Sequence, residues 1–206
     1  MKIPALAIAL FSLCGSAWAE TFPALYEVTG VAADDVLNVR SAPNAGSPKV
    51  GTLVPDQKQI EVVLIDDAAK WGLISQGEGA GWVAMRFMRR MDQSAWHSLN
   101  QPLSCSGTEP FWSLGFDPAQ RAISFDSLGE SPDLFELEAG AVPQGRPPST
   151  LGWHALSQTA SMFATLHLSA CSDGMSDRAY GLSVDLFIQQ PDGLVGYSGC
   201  CSLEAP

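Results

Sequence analysis

The chain has 206 residues, 22 of them acidic and 11 basic, with a formal net charge of −11. Such an excess of carboxylates argues against nucleic acid or an anionic lipid surface as partner, because both call for clustered Lys and Arg to replace phosphate counterions. The length allows one large or two small domains, and an ordinary apolar content without low-complexity tracts points to a folded chain.

Met1 to Ala19 reads as a secretory signal. Lys2 supplies the positive start, Ile3 to Leu13 the apolar stretch, and Ala17-Trp18-Ala19 a small-x-small cleavage site before Glu20. The apolar stretch is shorter than the roughly 20 residues of a spanning helix. Cys14 invites a lipoprotein reading, but Leu13 stands where lipidation signals carry a small residue. No later run could span a bilayer as a helix. The expectation is an exported protein, periplasmic or secreted, that does not span the membrane.

Residues 20–90 carry six short β-rich pieces separated by turn clusters, which predicts a small all-β unit closed into a tight barrel. Pro43 and Pro48 fix φ and remove donors, so Ser41 to Pro48 is expected as a long loop. Within Leu37-Asn38-Val39-Arg40 the two apolar side chains share one face and Asn38 and Arg40 the other.

Leu37-Asn38-Val39-Arg40-Ser41-Ala42-Pro43, Val50-Gly51-Thr52-Leu53, Trp71 and Gly81-Trp82-Val83 resemble, in order and spacing, the bacterial SH3-like domain (SH3b). The likeness covers about a third of the chain. It departs at Pro55-Asp56-Gln57, where the family usually carries a glycine, so this loop is expected to differ in shape. The resemblance implies a cell-envelope module that binds peptidoglycan or a protein partner and has no catalysis of its own. Trp71 and Trp82 are then either core packing or the aromatic floor of a peptide groove. Tyr26, Asn38, Arg40, Trp71 and Trp82 are the candidate ligand-binding residues.

Arg86, Arg89 and Arg90 form the one basic cluster of an acidic protein, expected as a solvated strand end, with a patch for wall phosphates or acidic peptide groups as the alternative. Residues 91–104 read as a linker, with one helical turn near Trp96 that Pro102 would stop. From residue 105 to 206 alternation is clear: Trp112, Leu114 and Phe116 share a face, as do Met162, Ala164, Leu166 and Leu168, and then Leu182, Val184, Leu186 and Ile188. Seven strands in roughly 100 residues favour an antiparallel sandwich or barrel. Ala141 to Thr150, rich in Pro and Gly, is expected as a long exposed loop.

Gly107-Thr108-Glu109-Pro110-Phe111-Trp112 and Cys171-Ser172-Asp173-Gly174-Met175-Ser176-Asp177-Arg178, with a late Gly199-Cys200, resemble a family of uncharacterised bacterial envelope proteins. Those proteins pair a Glu-Pro-Phe-Trp motif with a Cys-x-Asp-Gly-Met-Ser-Asp signature. The resemblance implies an envelope location and a shared fold, and no activity.

Cys105, Cys171, Cys200 and Cys201 lack the close pairing of a zinc site, and export favours oxidation, so two disulfides are expected and no metal or other cofactor. Adjacent Cys200 and Cys201 project to opposite faces of a strand and so reach different partners. The preferred pairing is Cys171–Cys200 with Cys105–Cys201; the opposite assignment stays open.

The run from Asp173 to Arg178 is also the densest cluster of chemical side chains. As a hydrolase it would use Glu109 or Asp177 as general base and Arg178 at an oxyanion, with His154 or His167 as shuttle. No nucleophile elbow, metal-ligand pair or phosphate loop accompanies them. Asp and Ser around a glycine also bond their own backbone in turns, so Asp173 and Asp177 are expected to hold a turn. The reading is an all-β envelope binding protein, non-enzymatic, whose N-terminal module meets a peptidoglycan peptide or an envelope protein. The alternatives are an envelope hydrolase with a site at Glu109, Trp112, Asp173, Asp177 and Arg178, and a barrel carrying a small apolar ligand.

Overall fold

Two β systems, each with its own apolar core, account for the chain in the computed structural model, which describes residues 21–127, 132–145 and 147–203. The expected export signal, Met1 to Ala19, lies outside the described residues. Among those described, no helix is long and apolar enough to cross a membrane.

The N-terminal sheet contains β1 (Ala24–Val28), β2 (Leu37–Arg40), β3 (Lys49–Leu53), β4 (Ile60–Ile65), β5 (Trp71–Gln76), β6 (Gly79–Ala84) and β7 (Met88–Arg90). Their order is β3-β2-β6-β5-β4-β1-β7, and every pairing is antiparallel. Period-2 alternation sends Leu37, Val39, Ile74 and Val83 inward, while Asn38, Arg40, Trp71 and Trp82 face out. Leu53 from one edge strand and Met88 from the other enter the same core, so the sheet curls around it without a closing ladder between β3 and β7. Six strands are expected from the sequence and seven are found. The extra one is the basic segment at 88–90, which pairs with β1 and sets Arg89 on Glu27 at 2.6 and 2.8 Å. Asp56, in the departing loop, adopts φ 59°, a left-handed turn that an aspartate tolerates better than most residues.

The second system is a closed eight-stranded barrel: β8 (Leu103–Thr108), β9 (Phe111–Asp117), β10 (Ala122–Ser127), β11 (Asp133–Ala141), β12 (Thr150–Leu156), β13 (Ser161–Cys171), β14 (Tyr180–Gln190) and β15 (Gly193–Ser202). Each strand pairs antiparallel with its neighbours in sequence, and β15 returns to β8 through Cys200↔Ser106, Cys201↔Cys105 and Ser202↔Ser104. This is an up-and-down barrel, the architecture that removes strand edges altogether. The strand beyond the expected seven is β8. Its Ser-Cys-Ser-Gly-Thr composition has little β propensity, and pairing on both sides holds it in the sheet. Apolar alternates from all eight strands fill the interior, with Phe116 against Trp153 at 5.5 Å and Trp112 against Phe125 at 5.9 Å between ring centroids. Burying each such ring or aliphatic chain is worth about 1.5–3 kcal/mol.

Both disulfides follow the preferred pairing. Cys105–Cys201 joins directly opposed residues of the closing ladder, and Cys171–Cys200 ties the end of β13 to β15 across β14. They suit an oxidising, extracytoplasmic compartment.

Residues 91–104 pack closely on the barrel. A 3-10 turn at Trp96–Ser98 drives Trp96 into the barrel core, where it is 1% exposed, and Leu99 lies over Gly140 of β11. The two β systems also share a contact. β1 is buried on both faces: Ala24, Tyr26 and Val28 enter the sheet core, while Leu25 enters the barrel core. Beside it, buried Glu61 of β4 accepts the N–H of Leu203, and Pro23 lies on Gly181 of β14.

Candidate functional site

The outer face of the N-terminal sheet carries a cleft of about 720 Å³. Three separate stretches build it. β2 supplies Asn38 and Arg40, and the loop after it Ala45; the β4–β5 turn gives Ala69 and Lys70, and β5 begins with Trp71; and the end of β6 with its 3-10 turn gives Ala84, Arg86 and Phe87. Alanines at 45, 69 and 84 leave the space that larger side chains would fill. Ala69, at φ 53°, closes the tight turn that presents Lys70, and the Asp66 carboxylate accepts the Lys70 and Trp71 N–H groups at 2.7 Å each.

The cleft is cationic and aromatic. Arg40 donates to the Ser47 carbonyl at 2.7 Å and so fixes the Ser41–Pro48 loop, which Ser47 ties again through Oγ to the Ala42 and Asn44 carbonyls. The Arg86 guanidinium lies 4.7 Å from the centre of the Phe87 ring. Three basic side chains thus converge on one aromatic-walled cleft in a chain of net charge −11.

Of the five residues expected to bind ligand, Asn38, Arg40 and Trp71 line the cleft. Trp82 shares their face, opposite Arg40 in the β2–β6 ladder, but stands outside the lining. Tyr26 is elsewhere. It is 3% exposed in the sheet core, its ring stacked on Phe22 at 6.3 Å, and offers no surface to a ligand. Lys70, Arg86 and Phe87 complete the cleft, and the expectation of Arg86 as a solvated strand end left out its place in the wall. Arg86 beside an aromatic was the visible signal; the turn that folds it toward Trp71 was not.

The Cys171–Arg178 run forms a different object. Asp173 bends back so that Oδ1 accepts the N–H groups of Met175 (3.0 Å) and Ser176 (2.8 Å), while Oδ2 accepts the hydroxyls of Ser176 (2.7 Å) and Tyr180 (3.2 Å). Gly174, at φ 73°, allows the turn. These donors, the Ser176 N–H foremost, hold the Asp173 carboxyl at about 2, although partial burial pulls the other way. Tyr180 is displaced upward, chiefly by burial.

The far side of this turn meets the N-terminal sheet. Ser75 Oγ donates to the Ala179 carbonyl at 2.8 Å and accepts the Ala179 N–H at 3.0 Å, and the Asp177 N–H donates to the Glu78 carbonyl at 2.8 Å. Thr108 Oγ1 binds the Asp173 carbonyl, tying in the β8–β9 hairpin. The turn is therefore a strut between barrel and sheet.

The other residues of the candidate C-terminal site have separate surroundings. Trp112 points into the barrel, and its Nε1 donates to the Ser198 carbonyl at 3.3 Å. Glu109 is exposed in the hairpin before it, Asp177 has an exposed side chain, and the Arg178 guanidinium lies 5.5 Å from the Tyr180 ring centre. His167 bonds Thr150 at 3.2 Å and His154 stacks on Phe163, both on the outer wall. Comparison of the chain with protein-family models, with curated proteins and with solved structures returned no match.

Proposed function

We propose that the protein is an exported binding protein of the cell envelope, and that the cleft on its N-terminal sheet receives the extended peptide of peptidoglycan. One observation carries this reading: Arg40, Lys70 and Arg86 surround Trp71 and Phe87 in an otherwise acidic molecule. Guanidinium and ammonium groups bind carboxylates, rings bind the aliphatic parts of a peptide, and Asn38 can both donate to and accept from a backbone amide. Wall peptides combine carboxylates with amides along an extended chain. Two disulfides suit an oxidising, extracytoplasmic compartment, which is compatible with such a ligand, and the resemblance of the N-terminal residues to bacterial SH3-like domains supports the same reading.

A single cleft of this kind binds weakly, with Kd on the order of 10 µM to 1 mM. The test is co-sedimentation of the full exported chain with purified peptidoglycan, beside Trp71→Ala and Arg86→Ala. Binding should fall about five- to thirtyfold in each variant, since each loses a contact worth about 1–2 kcal/mol. Unimpaired binding by both variants, or no binding by the folded wild type, sinks the proposal and leaves an envelope protein as the ligand to seek.

A further inference from the structure

The closed barrel has no strand edge to offer, so a partner on that side must be held by outward side chains. Five consecutive strands place Ala139, His154, Phe163, Phe187 and Gly196 in one transverse row. These are outward positions, yet the centre of the row is aromatic. Phe163 and Phe187 are 54% and 49% exposed, and His154 stacks on Phe163 with ring centres 4.4 Å apart. Two residues further along, the next row reads Gly152, Thr165, Asp185 and Ser198. The missing side chain at Gly152 and the small ones at Ala139 and Ala141 leave a groove of about 370 Å³ beside the rings, with Asp185 in its lining. Ser198 Oγ donates to Asp185 Oδ1 at 2.5 Å and steadies the carboxylate there.

Charge indicates what covers this groove. Residues 103–203 hold eleven acidic side chains against three basic ones, whereas residues 21–91 are nearly balanced, with eight against seven. The field around the barrel is therefore strongly negative and attracts cations. Phosphate surfaces are repelled, and a second copy would set two barrels of like charge face to face. We infer that this groove docks a basic protein segment: an apolar side chain of the partner sits against Phe163 and Phe187, and a neighbouring Lys or Arg pairs with Asp185. The site is separate from the cleft of the N-terminal sheet and stands whether or not that cleft binds peptidoglycan.

The test uses the full chain and calorimetric titration with synthetic peptides of about ten residues. One alternates Lys with Leu, one replaces each Leu by Ser, and one replaces each Lys by Glu. Only the Lys/Leu peptide should bind well, and its affinity should fall about tenfold in Phe163→Ser, Phe187→Ser and Asp185→Asn. Phe111→Ser and Asp133→Asn, which remove an exposed ring and a carboxylate away from the groove, should leave it unchanged. All of these side chains point to solvent, and circular dichroism of each variant checks its fold. Equal affinity for the Lys/Ser peptide, or equal losses in the two control variants, would reduce the effect to general attraction between acid and base and overturn the inference. A concentration-dependent dimer in sedimentation velocity that Phe163→Ser abolishes would overturn it in favour of self-association.

Discussion

The Trp112 indole lies so close to Gly199 that a β-carbon there would sit 2.6 Å from Cζ2, and would also run into the Ser106 carbonyl. Gly107 faces the same ring from β8, where a β-carbon would stand 2.8 Å from Cε2 and 2.6 Å from the Ser198 carbonyl. The two motifs that carry Trp112 and Gly199 are thus two halves of one packing arrangement at the closing seam. Backbone has no soft way to yield, so Gly199→Ala should cost about 1–3 kcal/mol or more by overpacking. Trp112→Ala should cost about 3–5 kcal/mol through the cavity it leaves. Urea titration of both variants measures the losses, and a Gly199→Ala midpoint equal to the wild type's would mean that the seam is looser than described.

Asp173 should make stability depend on acid. Its carboxyl titrates at about 2 in the folded chain and near 3.9 in an unfolded one, so the folded state favours the anion. The contribution is complete above about pH 4 and disappears as the pH falls through about 2. Partial exposure screens it, so Asp173→Asn is expected to lower stability at neutral pH by only about 1 kcal/mol. The diagnostic outcome is the slope: Asp173→Asn should flatten the fall in melting temperature between pH 4 and pH 2. Asp177→Ala should change stability by less than about 0.5 kcal/mol, because its exposed side chain leaves the bond to Glu78 to the backbone.

The sequence displays what repeats locally and hides what arises between distant segments. Met162 to Leu168 and Leu182 to Ile188 alternate because each strand has one wet and one dry face, and both are legible at once. Ala24-Leu25-Tyr26 shows no alternation, since the sheet buries one side and the barrel the other. β8 was illegible for a different reason: pairing with β9 and β15 overrides its own weak propensity. The same limit applies to the cleft. Asn38 and Arg40 stand on a strand with an obvious outer face, whereas Lys70 and Phe87 reach the cleft through turns. Asp173 and Asp177 look alike in sequence, and only the path of the turn makes one a cap and leaves the other in solvent.

The disulfides should differ in weight. Cys105–Cys201 closes 96 residues of chain and Cys171–Cys200 closes 29. On the chain-entropy estimate these are worth about 4.7 and 3.6 kcal/mol. The double variant Cys105→Ala with Cys201→Ala should therefore melt below Cys171→Ala with Cys200→Ala, and loss of the buried contact at the seam adds to the difference. Alkylation without reductant, followed by intact mass, should find no free thiol in the exported wild type once the segment carrying Cys14 has been cleaved. The reverse order of melting would show that strap and seam are not governed by loop closure.

The last prediction is that sheet and barrel unfold together. Leu25 belongs to β1 by pairing and to the barrel core by packing, with Tyr26 directly behind it in the sheet core. Ser75 of β5 and Glu78 of the β5–β6 turn bind the Asp173 turn and the residues after it, and Glu61 holds Leu203 beside Leu25. Opening either system would expose these groups on the other. Native-state hydrogen exchange should give amides of β1, β4 and β14 one common opening free energy. Leu25→Ala should lower it in all three by about 2–5 kcal/mol, the cost of a large-to-small change in a core. Ser75→Ala, which removes the bonds to both the carbonyl and the N–H of Ala179, should lower it by about 1–2 kcal/mol, again in both systems. If Leu25→Ala weakens protection in β1 and β4 but leaves β14 unchanged, the two cores are independent and the shared contact is only a surface between neighbours.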